Sequence, residues 1–392
     1  MRVLFISDVY FPRVNGVSTS IRTFRDDLTT LGIESTLVAP AYDHPAEHPD
    51  VNTIRVASAK VPGDPEDRRM KSGAVGRALQ ELSGKPFDLV HIHTPFIAHY
   101  AGVRFARRRA IPVVATYHTF FEEYLHHYVP LMPRPIGRVL ARRFTRSQCA
   151  QVAAIVAPSE PMRALLLDYG VKTRIEVIPT GLPADRYVQG DGVHFRQAFR
   201  IPQDRPLLLY VGRVAHEKNI DFLLLAFCEL RRTRPEAMFA IAGEGPALHH
   251  LQSQVGRLGL SGHVFFIGYL ERERELANCY AAADVFVFAS RTETQGLVLL
   301  EALAQGRPVV STAHLGTTSI LQAGCGARVA PERPEAFAQA IADILEDTVR
   351  AERLSEQAHS YAQTWASSRM AVRLAALYQD LIRMPAPAAV TA

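Results

Sequence analysis

DVFVFASRTETQGLVLLEALAQG, residues 284–306, passes from an apolar run through a short polar turn into a second apolar-rich run. The first part reads as a buried strand, because its Val and Phe residues call for cover on both faces. In the second part Leu, Ala and Glu favour helix, and Gly306 is a natural stop. Glu293 then falls in the turn at the mouth of the strand and Glu301 in the second turn of the helix, with seven residues between them. Backbone N–H groups at such a helix N-terminus suit an anion, while flanking carboxylates suit hydroxyl groups. A ligand carrying phosphate and sugar, such as a nucleotide sugar, matches this arrangement. A helix-start glutamate with a solvated partner matches it too.

Strand–loop–helix units of this kind continue in both directions. PLLLYVGR (206–213), MFAIAG (238–243), VFFIG (264–268) and RPVVST (307–312) read as strands between helical patterns. Upstream, RVLFISD (2–8), STLVAP (35–40), FDLVHIH (87–93), PVVATYH (112–118), 153–158 and 175–179 do the same. One of the intervening helices places Ile21, Phe24, Leu28 and Leu31 on a single face. The alternation implies parallel sheets covered on both faces. A stretch rich in turn residues (Gly181, Pro183, Gly190, Gly192, Pro202) interrupts it. The expectation is an α/β protein with two doubly wound domains, 1–182 and 183–365, and a cleft between them as the ligand site. Residues 44–69, polar and Pro-rich, read as an excursion from the first sheet. Helices over 334–347 and 351–379 close the chain, and 384–392 reads as a disordered tail.

At 392 residues the chain exceeds one ordinary core, and 48% hydrophobic with 21% charged residues is a soluble globular composition. No run of about 18 apolar residues occurs, so no transmembrane helix is expected. MRVLFISDVY reads as a first core strand, not a signal peptide. Four cysteines without CxxC spacing read as buried apolar side chains in a reducing cytoplasm. The net charge of +5 is uneven: arginines cluster at 104–109 and 134–146. Such clusters suit nucleic acid, an anionic membrane or plain solvent. GxGxxG and GxxxxGK[ST] are both absent.

Further positions could carry chemistry. Gly16, in FPRVNGVSTS, would let a phosphate approach a helix start that Ser18 or Thr19 can cap. Arg213 and Lys218, in VGRVAHEKNID, lie between a strand and a helix, where two cations suit a diphosphate. His118 ends a strand; His91 and His93 share a strand face and read as packing or hydrogen-bonding groups, not metal ligands. Glu244, in AGEGP, would edge a nucleotide base. Residues 120–146 mix Phe120, Phe121 and Tyr124 with Arg138, Arg142 and Arg143. That mix fits an interfacial segment on an anionic membrane, but composition alone favours an amphipathic helix packed on its own sheet.

Taken together and in this order, NGVSTS, YHT, APSEPM, IPTG, VGRVAHEKN, AGEGP and ETQGLVLLE resemble the family 4 retaining glycosyltransferases of the GT-B fold. The resemblance spans nearly the whole chain. It implies two facing Rossmann-like domains, a final helix (about 366–383) crossing back to the first, a nucleotide-sugar donor and no metal or other cofactor. By matched motif, Glu293 would hold the donor sugar's hydroxyls and Glu301 the ribose. The backbone of Thr294, Gln295, Gly296 and Leu297 would lie near the diphosphate, with Arg213 and Lys218 as its cations. Gly16 would belong to the first domain's phosphate loop, and His118 would sit beside the sugar. Gln295 stands where the common Glu-Gly-Phe-Gly form has Phe. This ETQG variant, with YHTFFEEYLHHY, is similar to the diacylglycerol glucosyltransferases. The similarity implies glucose transfer from UDP-glucose to 1,2-diacylglycerol by a cytoplasmic, monotopic protein on the inner face of the cell membrane, its basic first domain docked on anionic lipid. Another nucleotide sugar, with a soluble or polyprenyl-linked acceptor, is the alternative. A non-catalytic nucleic-acid-binding protein is a third, but no nucleic-acid motif accompanies the basic clusters.

Overall fold

The computed structural model describes residues 1–43, 50, 52–61, 64–118, 134–270 and 275–384, apart from the side chains of 64–67 and 134. The chain forms two compact units: Met1–Gly181 with Ser367–Ala392, and Leu182–Ala366.

In the first unit β1 (Arg2–Ile6), β2 (Glu34–Pro40), β3 (Thr53–Val56), β6 (Leu89–Ile92), β7 (Val113–Thr116), β8 (Ala154–Ala157) and β9 (Arg174–Val177) build a parallel sheet in the order β3-β2-β1-β6-β7-β8-β9. The direction of winding reverses between β1 and β6, which opens a switch point there. A small antiparallel pair, β4 (Ser58–Val61) with β5 (Asp64–Met70), stands outside the sheet. The polar excursion expected over 44–69 therefore returns to the sheet for one strand, β3, before leaving it.

Side-chain alternation divides β1 between two cores. Val3 and Phe5 pack with Ile21, Phe24 and Leu28 of helix Gly16–Thr30 and with Leu374, Tyr378 and Leu381 of helix Ser367–Arg383. Leu4 and Ile6 face Val75 and Leu79 of helix Ser72–Glu81 and Val103 and Ala106 of helix Ile97–Arg109. All four β1 residues are fully buried, as a strand covered on both faces requires.

The second unit repeats the plan with β10 (Leu207–Val211), β11 (Met238–Ala242), β12 (Val264–Gly268), β13 (Val285–Phe288), β14 (Val309–Ser311) and β15 (Ala327–Val329), ordered β12-β11-β10-β13-β14-β15. Its switch point lies between β10 and β13. The single helix expected over 351–379 is two, Thr348–Gln363 and Ser367–Arg383. The break has a tertiary cause: the Leu182 N–H donates to the Trp365 carbonyl at 2.8 Å, and Leu182 bridges Ala366.

Candidate functional site

In the second unit the loops after β10 and β13 flank the switch point and carry Arg213, Lys218 and Glu293. The β10 loop is tied to its neighbour by backbone bonds, Val214 N–H to the Glu244 carbonyl (2.8 Å) and Ala247 N–H to the Val214 carbonyl (3.0 Å). Tyr210, wholly buried, donates from below to the Arg213 carbonyl at 3.0 Å. Lys218 ends a short turn and donates to Glu293 Oε1 at 2.5 Å, both side chains about one-fifth exposed. Two charges read from sequence as contacts to different parts of a ligand are thus paired with each other. Glu244 is exposed beside them in the chain's glycine loop.

The turn 293–296 is braced from behind. The Gly316 N–H donates to the Glu293 carbonyl at 2.9 Å. Any Cβ at Gly316 would overlap the Thr294 carbonyl, so this approach needs glycine. Gly296 stands ahead of helix Leu297–Ala304 with φ 98°, a left-handed backbone that favours glycine. Gln295 is buried, and Thr294 and Leu297 are half-buried. Glu301 is 4% exposed and accepts from the Tyr280 hydroxyl at 2.9 Å. Opposite the turn, Asn219 donates to the Ala289 carbonyl (3.3 Å) and Glu332 Oε1 (3.1 Å), while Arg291 pairs with Glu332.

In the first unit the switch point holds Asp8 after β1 and His93 after β6. The Asp8 carboxylate accepts from Thr94 Oγ1 (2.8 Å) and the Ala98 N–H (3.2 Å), capping the start of helix Ile97–Arg109. Burial pushes its pKa up to about 6 against the pull of those hydrogen bonds. His91 bonds the Tyr378 hydroxyl (2.5 Å) and Thr116 Oγ1 (2.7 Å); His93 Nδ1 lies 3.1 Å from His118 Nε2. The three rings lie in series, with centroids 4.1 Å apart for His91–His93 and 5.3 Å for His93–His118. Burial drives the pKa of His91 and of His118 down to about 3, so both imidazoles are neutral at pH 7. His93, His99, Thr94, Thr116, His118 and Phe144 line a cavity beside them.

Gly16 opens its helix in exposed backbone where an added Cβ meets nothing within 4 Å. The cap expected from Ser18 or Thr19 comes instead from Asn15, whose Oδ1 accepts from the Ser18 N–H at 2.9 Å. Asn15 is extended there (φ −159°), the backbone an N-cap needs. Phe120, Phe121 and Tyr124 lie outside the described residues.

Helix Arg134–Cys149 buries Gly137, Ala141, Thr145 and Gln148 on one side. Its other side presents Ile136, Val139, Leu140 and Arg143 at helical spacing, the three apolar residues 55%, 57% and 48% exposed. Arg138 is exposed next to them. Arg142 is committed within the unit, 2.9 Å from Asp168 and over the Tyr169 ring. No helix among the described residues is long and apolar enough to cross a membrane. Among the same residues His216, Asp221 and His250 could hold a metal ion, their ligand atoms within 4.8 Å. His250 already bonds Asp221 at 2.7 Å on an open surface, so the pair is satisfied without an ion.

Two family models account for most of the chain: Glycosyltransferase Family 4 over residues 14–186 and Glycosyl transferases group 1 over 194–361. An α-monoglucosyldiacylglycerol synthase of Streptococcus pneumoniae is 34% identical over 318 residues, 79% of this chain and 71% of that protein. The chain is a family 4 glycosyltransferase. The enzyme of the same name from Acholeplasma laidlawii is 27% identical over 79% of this chain and 80% of its own. Sucrose-phosphate synthase from Thermosynechococcus elongatus shares the fold, with a TM-score of 0.78 at 20% identity over 97% of this chain and 98% of that one. The glycosyltransferase is thus a hexosyltransferase of the GT-B architecture, each unit a Rossmann-like parallel sheet. Its switch-point loops, Arg213–Lys218 and Glu293–Leu297, are where such sheets take ligands. The Lys218–Glu293 pair, the Gly316 brace and the His93–His118 bond carry no local sequence signal, since each joins segments far apart in the chain.

Proposed function

We propose that this glycosyltransferase moves glucose from UDP-glucose to 1,2-diacylglycerol at an anionic membrane surface, with retention at the anomeric carbon. The observation that carries the lipid reading is the Ile136, Val139, Leu140 and Arg143 stripe: apolar groups turned outward with arginine among them suit a headgroup boundary. The likeness to two α-monoglucosyldiacylglycerol synthases supports glucose as the transferred sugar and diacylglycerol as the acceptor. On this reading the protein is peripheral to the cytoplasmic face of the membrane.

In the step itself the acceptor hydroxyl oxygen bonds to the anomeric carbon while the bond from that carbon to the diphosphate oxygen breaks. The hydroxyl proton passes to the departing diphosphate, and UDP leaves. Both bonds lie on one face of the sugar, and the transition state is oxocarbenium-like. Arg213 and Lys218 stabilise charge developing on the diphosphate, and the reaction as proposed calls for no metal or cofactor. The backbone of Thr294, Gln295, Gly296 and Leu297 adds N–H groups at a helix start. Glu293 holds sugar hydroxyls, releasing part of its hold on Lys218 as donor enters. Glu301, fixed by Tyr280, holds the ribose, Glu244 edges the base, and Gly16 leaves room for phosphate. Neutral His118 positions the sugar.

Vesicle flotation tests the lipid reading. The protein is expected to float with anionic vesicles, weakly with zwitterionic ones, and to be released by high salt. Indifference to lipid, with transfer to a soluble sugar, contradicts it.

A further inference from the structure

The imidazole of His93 is buried to 1% exposure directly behind His118, and the role of His118 does not require it. His93 Nδ1 and His118 Nε2 are 3.1 Å apart, with rings nearly coplanar at 24°, so one nitrogen must carry a proton and the other a lone pair. The other nitrogen of His93, Nε2, is buried and has no hydrogen-bond partner among the described residues. A proton there would be a buried donor without an acceptor, the more costly of the two ways to leave a nitrogen unpaired. The proton of His93 therefore belongs on Nδ1, facing His118. His118 Nε2 must then accept, which puts the proton of His118 on Nδ1. Phe5 stacks on His93 at 5.1 Å and 13°, which holds the plane of its ring. His91, its centroid 4.1 Å away, is itself anchored by Tyr378 of the last helix and by Thr116.

We propose that His93 is a positioning residue for transfer: its Nδ1–H donates to His118 Nε2 and fixes His118 as the Nδ1–H tautomer, oriented to donate a hydrogen bond to the transferred sugar. This rests on the reading of His118 as a sugar contact. The arrangement follows the second-layer logic by which a histidine's partner nitrogen sets its tautomer. Neutrality of both rings is consistent with burial, which holds His93 well below the ordinary histidine range.

Three measurements test it together. Imidazole ¹⁵N shifts of the full-length protein should report His118 protonated at Nδ1; the Nε2–H form overturns the proposal without any substitution. His93→Phe keeps a flat ring and loses the donor, whereas His93→Asn keeps a donor near the Nδ1 position. His93→Phe should lower kcat by ~10- to 100-fold with UDP affinity unchanged, and His93→Asn should restore most of that loss. In a His118→Ala background His93→Phe should cost nothing further. Wild-type kcat in His93→Phe, or a full loss added to that of His118→Ala, overturns the proposal. If His118→Ala alone transfers at the wild-type rate, the reading of His118 fails first, and the inference falls with it for that distinct reason.

Discussion

Lys218 and Glu293 sit 75 positions apart and form a 2.5 Å ion pair at the second unit's switch point. Each holds the other in place. On the proposed reading a diphosphate would compete with Glu293 for Lys218, and sugar hydroxyls would compete with Lys218 for Glu293. Substituting Arg213→Ala or Lys218→Ala is expected to cost on the order of 3 kcal/mol of transition-state stabilisation, ~10²-fold in rate. Both variants should remain folded, with the melting temperature of Lys218→Ala lowered because the one-fifth-exposed Glu293 carboxylate loses its partner. Unimpaired transfer in the folded Arg213→Ala/Lys218→Ala protein would remove these residues from the site. Gly316→Ala should behave differently. Its methyl overlaps the Thr294 carbonyl, which has backbone on both sides and cannot turn away. A loss of roughly 1–3 kcal/mol, read as a melting point a few degrees lower, should accompany weaker UDP binding. Normal UDP affinity in Gly316→Ala would show that the brace does not shape the turn.

At the scale of elements, the strand–turn–helix run from Val285 to Ala304 was legible in sequence because each step has a local cause. β13 is short and wholly apolar, Gly296 supplies the left-handed residue, and Leu, Ala and Glu continue as helix. The end of helix Thr348–Gln363 was not legible in the local pattern, although the family resemblance implied a separate final helix from about 366. Residues 364–366 are Thr, Trp and Ala, none a helix breaker, and the break is made by Leu182 pairing with Trp365 and Ala366 from across the chain. Asp8 was passed over for the same reason: its partner, the helix starting at Ile97, is set beside it only by the β1–β6 switch. Asp8→Ala is expected to destabilise the first unit by ~1–2 kcal/mol through the lost cap. An unchanged melting curve would contradict the capping role. The outward stripe of helix Arg134–Cys149 makes a separate prediction. Arg138→Glu/Arg143→Glu should reduce flotation with anionic vesicles steeply, and Ile136→Ser/Val139→Ser should reduce it even at low salt. Neither pair should alter UDP binding, because none of these four side chains is among the proposed donor contacts.

At the scale of the whole chain, the buried histidines make stability depend on pH. His91 and His118 are pushed down to about 3 and His99 to about 4, and His93 lies well below its ordinary value, all chiefly by burial. Unfolded, these groups take up protons near pH 6.5; folded, they do not until far lower. Their stabilising effect is complete above about pH 6.5 and is lost as pH falls toward about 3. Asp8 acts in the opposite sense: raised to about 6, it takes its proton first in the folded state, which offsets part of the loss between about pH 6 and 4. Four histidines outweigh one carboxyl, so the melting temperature should fall as pH drops from 7 to 4.5. A flat profile would contradict the neutral, buried histidine stack.

The central claim, a hexosyltransferase that glucosylates a membrane lipid, is tested most directly by its product. The protein is incubated with anionic bilayers containing diacylglycerol and with UDP-glucose, UDP-galactose or GDP-mannose in turn. Lipid products are then identified by mass spectrometry and their anomeric configuration by NMR. The account predicts one hexosyldiacylglycerol, formed from UDP-glucose and α-configured. Transfer only from another donor, a β-linked product, or no glycolipid from a preparation that glycosylates a soluble sugar would contradict it.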